Sequence, residues 1–375
     1  MHYIFRYIVT SSFFLILVLS WTLSLSQENR LTGNITDSKT GEILAGAHIF
    51  VNKTTIGTAS DQNGNYRLTG IPAGIQTIII SFIGFKDYIV EVDFTKLKNQ
   101  RLEVKLESKP FSFNEVQVTS SNKEWRKNLK KFKTHFFGAT INAASMELVN
   151  PEVLTFENSG SKLITTAEAP LKIINNALGY EITYYLTKSI STDSYFDSSF
   201  IMEFKELESE SSKVLKSWHF EREKAYLGSF IHFMNVLSDG SYLEEGFKVL
   251  ASKDENLNNY NYDPEYDNPY SKELYLNEFA EIQKDNKWIK LSVPASYDLL
   301  EVVYLKEKID YPLMRRIKLK GSPSQVSWLE IPNDIAVINK RTGSYSDHFV
   351  FTIHGYWGWT NRIPELLPIN YTLQD

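Results

Sequence analysis

Four groups of side chains in this sequence have the types and spacing that chemistry can use. His219, Glu221, Glu223, His232 and the pair Glu244-Glu245 carry metal-ligand atoms. Glu221 and Glu223 are also candidates for the two opposed carboxylates of sugar hydrolysis. On one helix, however, His219 and His232 stand roughly 20 Å apart at 1.5 Å per residue, too far to share one zinc ion. Asp61-x-Asn63-x-Asn65 places oxygen side chains at alternate positions, as a calcium loop begins, but Pro72 occupies the twelfth position where a glutamate should close it. Tyr356, Trp357 and Trp359 have rings on which a sugar or a protein surface can stack. If the chain is extended there, Trp357 and Trp359 share one strand face and equally suit a core. His348 and His354 share a face as well, about 20 Å apart along a strand, and make poor partners for one metal. No catalytic, cofactor-binding or metal-binding residue follows from these spacings.

Several chemistries are excluded by composition. There is no cysteine, hence no disulfide, no thiolate metal site and no lipid anchor on a cysteine. The formal net charge of −5 gives no electrostatic basis for nucleic-acid binding. No nucleophile elbow, phosphate loop or dinucleotide-binding glycine pattern occurs. Residues 1–26 combine His2 and Arg6 with the apolar run from Phe13 to Leu19 and the small residues of Ser24-Leu25-Ser26, which predicts a secretory signal peptide. Tyr7 to Leu25 is nearly long enough to remain as a membrane anchor instead.

The elements that must position these groups begin with a β-rich stretch. Leu31 to Asp37, Ala47 to Val51, Thr54 to Ser60, Tyr66 to Leu68, Ile75 to Phe82, Tyr88 to Val92 and Leu102 to Leu106 read as seven short strands. Turn residues separate them, most clearly Asn63-Gly64, which tolerates the left-handed backbone of a tight hairpin. The nearly unbroken apolar run from Ile75 predicts a central strand buried on both sides.

The patterns Gly33-x-Ile35-x-Asp37-x-x-Thr40-Gly41, Gly57-Thr58-x-Ser60-Asp61-x-x-Gly64-x-Tyr66-x-Leu68, Ile71-Pro72-x-Gly74 and Ser81-Phe82-Ile83-Gly84-Phe85 resemble the carboxypeptidase regulatory-like domain. Ala45 stands where that family usually has proline, and Ser60 where it often has threonine. The resemblance implies a seven-stranded transthyretin-like sandwich without chemistry of its own, found in cell-envelope proteins of Bacteroidetes-type bacteria. Asn114 to Val118 is similar to the strand that closes the module in those proteins. No histidine is followed by glutamate three positions later, so the zinc set of a metallocarboxypeptidase is absent. Too few residues follow for a receptor barrel of about 22 strands.

Beyond the module, Lys123 to Phe136 is predicted helical, with Trp125, Leu129, Phe132 and Phe136 on one stripe and six basic residues over the rest. That basic surface suits either plain solvation or contact with anionic lipid headgroups. Strands follow at Val153–Phe156, Leu163–Thr165, Leu171–Ile173, Tyr180–Leu186 and Phe200–Phe204. Ser212 to Leu237 reads as helix, with Tyr226, Phe230, Phe233 and Leu237 on one apolar stripe. Glu221-Arg222-Glu223-Lys224 on it suits a solvated ion-pair network. Gly246 to Leu250 returns to strand, Asp254 to Tyr270 is a loop, and further strands are expected at 288–291, 299–305, 316–319, 326–329, 335–338 and 349–353. The tail from Gly355 to Tyr371 is similar to the ends of uncharacterised proteins with the same front domain.

The expected architecture is therefore mainly β: a signal peptide (1–26), a regulatory-like β-sandwich (27–118), a helical linker (119–150) and an α+β domain (151–375). The expected function is noncatalytic, in the periplasm or at the outer membrane, recognising an envelope protein, a glycan or another surface component through a surface such as Tyr356, Trp357 and Trp359. A hydrolase acting on cell-surface polysaccharide through paired carboxylates is the alternative.

Overall fold

The structure is a computed structural model that describes residues 28–94, 98–109, 122–192, 196–198, 201–257, 271–282, 288–319, 323–331, 335–339 and 352–373. The predicted signal peptide, the closing strand at Asn114–Val118, most of the Asp254–Tyr270 loop, and His348 lie outside the described residues.

The N-terminal part is a two-sheet sandwich. Its strands are β1 (Asn29–Asp37), β2 (His48–Val51), β3 (Gly57–Ala59), β4 (Asn65–Ile71), β5 (Ile75–Ser81), β6 (Tyr88–Asp93), β7 (Asn99–Arg101) and β8 (Val104–Leu106). One sheet has the order β4-β1-β7 with β8 also on β1, and the other has the order β3-β2-β5-β6. The seventh strand, expected at Leu102–Leu106, is shortened to β8, and β7 precedes it as an additional short strand; both run parallel to β1. Leu31, Ile35, Ile49, Val51, Leu68, Ile78, Ile80 and Val104 form the core between the sheets. The Asn63-Gly64 turn forms, but it links β3 of one sheet to β4 of the other instead of closing a hairpin: Asp61 Oδ1 accepts from the amides of Asn63 (2.8 Å) and Asn65 (2.9 Å), and Gly64 takes a φ of 74°. Asp61 is thereby committed to an ordinary turn.

β5 is central, and Ile78, Ile79 and Ile80 are all fully buried. Ile78 and Ile80 face the sandwich core, whereas Ile79 pairs with Phe50 on the outer face, where Phe50 stacks on Tyr185 of the second region at 5.3 Å. The continuous apolar run therefore reflects a sheet covered on both sides.

The second region begins with α1 (Asn122–Phe137), whose Phe132 and Phe136 enter the core between two four-stranded sheets. The segment expected to be a linker is thus packed. The strands are β9 (Met146–Leu148), β10 (Leu154–Ser159), β11 (Lys162–Ala167), β12 (Leu171–Asn175), β13 (Tyr180–Tyr184), β14 (Ser189–Ser191), β15 (Phe196–Ser198) and β16 (Met202–Glu206). They form sheets of order β10-β11-β14-β15 and β16-β13-β12-β9. Tyr180, Ile182 and Tyr184 alternate into this core, as their period of two requires.

The helical stretch expected from Ser212 to Leu237 is broken into α2 (Ser212–Tyr226) and α3 (Phe230–Asp239). Gly228, at a φ of 72°, and Ser229, whose hydroxyl accepts from His232 N at 3.1 Å, end one helix and cap the next. The single apolar stripe is divided accordingly. Tyr226 joins the core beneath α1, and Phe233 and Leu237 join a separate one.

That separate core lies under a five-stranded sheet, β18-β17-β21-β22-β24, formed by β17 (Phe247–Ser252), β18 (Ser271–Leu274), β21 (Leu299–Lys308), β22 (Ser324–Glu330) and β24 (Thr352–His354). The short α4 (Leu276–Phe279) leads into a three-stranded sheet of β19 (Ala280–Ile282), β20 (Trp288–Ser292) and β23 (Ile335–Asn339), which closes the same core. α3 packs on one face of the five-stranded sheet. On the other face sits α5 (Tyr311–Arg316), next to the stretch expected as a strand at 316–319. Asp310 caps α5 through Leu313 N (3.1 Å), and Pro312 sits in the first turn, so the local chemistry starts a helix there. The molecule is mainly β throughout.

The sandwich is joined to the second region through the β2–β3 turn. Lys53 N donates to Met202 O (2.7 Å), Phe204 N to Thr54 O (2.9 Å) and Met202 N to Asn52 Oδ1 (3.0 Å), so the turn pairs with the otherwise open edge of β16. His48 Nε2 meets Glu203 at 2.8 Å beside it.

Candidate functional site

The aromatic tail folds differently from the strand expected for it. After β24 the chain turns into α6 (Gly355–Thr360), so Trp357 and Trp359 point about 200° apart rather than to one face. α6 rounds the edge of the five-stranded sheet. Trp357, only 2% exposed, passes under one face against Phe230 and Phe233, and its indole donates to Gly228 O at 2.6 Å. Trp359 packs on the opposite side, donating to Asp310 Oδ2 at 3.3 Å with Arg316 over its ring at 5.6 Å. Of the three aromatics read as a candidate surface, Tyr356 alone lines a cleft. The three do not form a shared platform.

That cleft, of about 210 Å³, lies where α2, the end of β21, α5 and α6 meet. Glu221, Lys224, Glu307, Asp310, Tyr356 and Glu365 supply its polar wall. Gln325 Nε2 donates to Glu307 at 3.2 Å; Asp310 receives Leu313 N and the Trp359 indole; Glu365 receives Asn142 N at 3.2 Å and Asn142 Nδ2 at 2.8 Å. Burial pushes all three carboxyls above their ordinary range, and these hydrogen bonds oppose the shift. Burial likewise raises the Tyr356 phenol, and the charges of Asp310, Glu307 and Glu365 push it further the same way. The site sets these carboxyl oxygens beside two donors, the Tyr356 phenol and the Lys224 ammonium.

The carboxylates singled out in the sequence separate here. Glu221 lines the cleft, whereas Glu223 is exposed outside it and reaches it only by adding to the upward push on Glu307. Arg222, expected in a solvated network, is instead a docking residue. It donates to Leu178 O and Gly179 O, pairs with Glu206 at 3.0 Å and lies over the Tyr180 ring at 4.1 Å. His232 is buried and accepts Gly228 N–H at Nδ1 (3.1 Å), an arrangement that requires the neutral ring; burial lowers its pKa to about 4. Its Nε2 is 3.8 Å from Glu245, and no cluster of three metal-ligating side chains occurs among the described residues. His354 stands 3.5 Å from Glu330.

Glu307, Asp310 and Glu365 carried no sequence signal as a group, because they are brought together from separate elements. Asp310-Tyr311-Pro312 alone had a local signature, that of a helix start, from which one wall of the cleft could have been placed.

No curated protein matches the chain significantly. Parts of it are similar to a chain of a type II cohesin–X-dockerin complex from Acetivibrio cellulolyticus (18% identity, 20% of this chain and 52% of that one, TM-score 0.17). Others are a proposed membrane-associated protein of unknown function from Bacteroides fragilis NCTC 9343 (17%, 43% and 65%, TM-score 0.17) and a protein proposed to bind carbohydrate from Bacteroides uniformis ATCC 8492 (13%, 48% and 79%, TM-score 0.18). The chain spans about half the length of the first of these, and at such TM-scores none carries a functional argument. The sequence family is more informative: residues 31–118, a span that takes in most of β1 to β8, match the CarboxypepD_reg-like domain, and this part of the chain is a carboxypeptidase regulatory-like domain.

Proposed function

We propose that the protein is a noncatalytic binding protein, exported to the periplasm or the outer-membrane surface, that takes a hydroxyl- or ammonium-bearing group of a glycan or protein into the cleft at Tyr356. One observation carries this reading: each half-buried carboxylate of the cleft is already held by a donor of the fold, Gln325 on Glu307, Leu313 and Trp359 on Asp310, Asn142 on Glu365. Carboxylates fixed in this way act as oriented acceptors. The volume, about 210 Å³, suits one sugar ring or one side chain and falls below the usual range of about 300–1,000 Å³ for larger ligands. Export is supported by Arg6 and the apolar run from Phe13 to Leu19, and by the resemblance of the front module to envelope proteins.

The test is calorimetric titration of the full chain with neutral sugars, amino sugars and lysine-containing peptides, alongside Tyr356→Phe and Glu307→Gln. Binding of one class that weakens at least tenfold in both variants is expected. Binding unchanged in both would remove the cleft from the function.

A hydrolase is the second reading, favoured by the raised pKa of Glu307, the direction a general acid requires. Release of reducing ends from envelope polysaccharide, lost in Glu307→Gln, would establish it.

A further inference from the structure

α1 carries Lys123, Arg126, Lys127, Lys130, Lys131 and Lys133 against one carboxylate, Glu124, in a chain of formal net charge −5. Its opposite face is committed to the core through Phe132 and Phe136, and Trp125 Nε1 donates to Leu154 O at 3.2 Å. Steps of four and three place Arg126, Lys130 and Lys133 on one stripe roughly 10 Å long. The stripe forms one wall of an open groove of about 490 Å³, whose apolar lining is Leu129, Phe137 and Met146. Among the described residues, none of these three cations has a carboxylate within ion-pair distance, and Glu124 accepts instead from Asn158 Nδ2 at 3.4 Å.

We propose that this groove is a docking site for anionic phospholipid, with headgroup phosphates against Arg126, Lys130 and Lys133 and the first acyl carbons against Leu129 and Met146. Charge complementarity selects this occupant. A row of cations with no carboxylate partner among the described residues, on an otherwise acidic molecule, turns α1 toward a negative membrane surface and the remainder of the molecule away from it. The apolar lining between the cations selects a lipid over a free anion, because inorganic phosphate gains nothing from Leu129 or Met146. The cleft at Tyr356 shares no lining residue with this groove.

The experiment measures binding of the full chain to vesicles of neutral phosphatidylcholine and to vesicles containing phosphatidylglycerol. The apolar stretch near Phe13 contributes to both, so the ratio of the two affinities is the readout. The unmodified chain is expected to prefer anionic vesicles by at least tenfold, with a preference that falls as salt rises. Arg126→Glu/Lys130→Glu/Lys133→Glu should reduce anionic binding on the order of 100-fold, at about fivefold per cation, with an unchanged circular dichroism spectrum. Lys39→Glu/Lys98→Glu/Lys105→Glu makes the same charge change at exposed sites on the sandwich and should leave most of the preference intact. Equal binding to both vesicle types, an equal loss in the sandwich variant, or full displacement by millimolar inorganic phosphate would each overturn the proposal.

Discussion

The sandwich and the region that follows it are held together by different devices. The sandwich closes on one core through short turns, such as the Asp61–Asn65 turn that carries the chain from β3 of one sheet to β4 of the other. The second region contains several cores, and these are tied by the segment around Trp357, Ile363 and Leu367, which puts Trp357 in one and Ile363 and Leu367 in another. Local turns make the first part self-sufficient. The second depends on a strap reaching it from far along the chain.

Trp357→Ala is the largest test of this contrast. It empties a site against Phe230 and Phe233 and leaves the Gly228 carbonyl without its indole donor, for an expected loss of about 3–5 kcal/mol. In urea unfolding followed by a probe in each part, the second region should unfold earlier and the sandwich should not. A common shift of both transitions would show one cooperative unit and break the contrast.

His232 provides a test by pH in the same region. Its folded pKa, about 4, lies below the ordinary histidine value of 6.5, so the unfolded chain takes up a proton first as pH falls. Its contribution is therefore complete above pH 6.5 and is lost between 6.5 and about 4, by up to about 3 kcal/mol. The raised carboxyls Glu307, Asp310 and Glu365 act in the opposite sense, losing stability as pH rises through their folded values. His232→Gln, which keeps an acceptor for Gly228 N–H, should flatten the acid limb. An unchanged slope in that variant would mean that other groups set it.

Gly33→Ala tests the sandwich alone. A Cβ at this position would sit 1.8 Å from Leu102 O, so β1 and the chain leading to β8 would have to separate, at about 2–3 kcal/mol. The sandwich transition should shift while the second region keeps its midpoint. Asn52→Ala is the smallest and addresses the junction. It leaves Met202 N without its side-chain acceptor, at about 1–2 kcal/mol, and should widen the gap between the two transitions. A gap that does not change would assign the junction to the backbone bonds of Lys53 and Thr54.

How much of this was legible in the sequence followed the range of the interactions. Asp61 to Tyr66 and Tyr180 to Tyr184 carry their signals within a few residues, as turn chemistry or a period of two, and the turn and the strand both formed, although the turn crosses between sheets instead of closing a hairpin. The helix from Lys123 formed too, because its aromatic spacing is local. Trp357 and Trp359 went the other way. A helix and a strand both suit a short aromatic run, and the choice was made by Phe230, Phe233 and Asp310, none of which is near in sequence. The break at Gly228-Ser229 was visible as residue types but was outweighed by an apolar spacing that crosses it. Glu307, Asp310 and Glu365 became neighbours only through the packing of β21, α5 and the tail.

The strap also sets an order of events. Asn370 exchanges hydrogen bonds with Thr55 across 315 residues, and Ile369 N donates to Lys53 O in the same turn that pairs with β16. Closing so long a loop adds only about 0.6 kcal/mol for each doubling of its length, so the equilibrium hardly registers the distance. The kinetics do, since contacts between residues far apart in sequence form slowly. The sandwich can assemble early, and its turn can find β16 once residues 202–206 are available, but the last bonds around Lys53 wait for the tail.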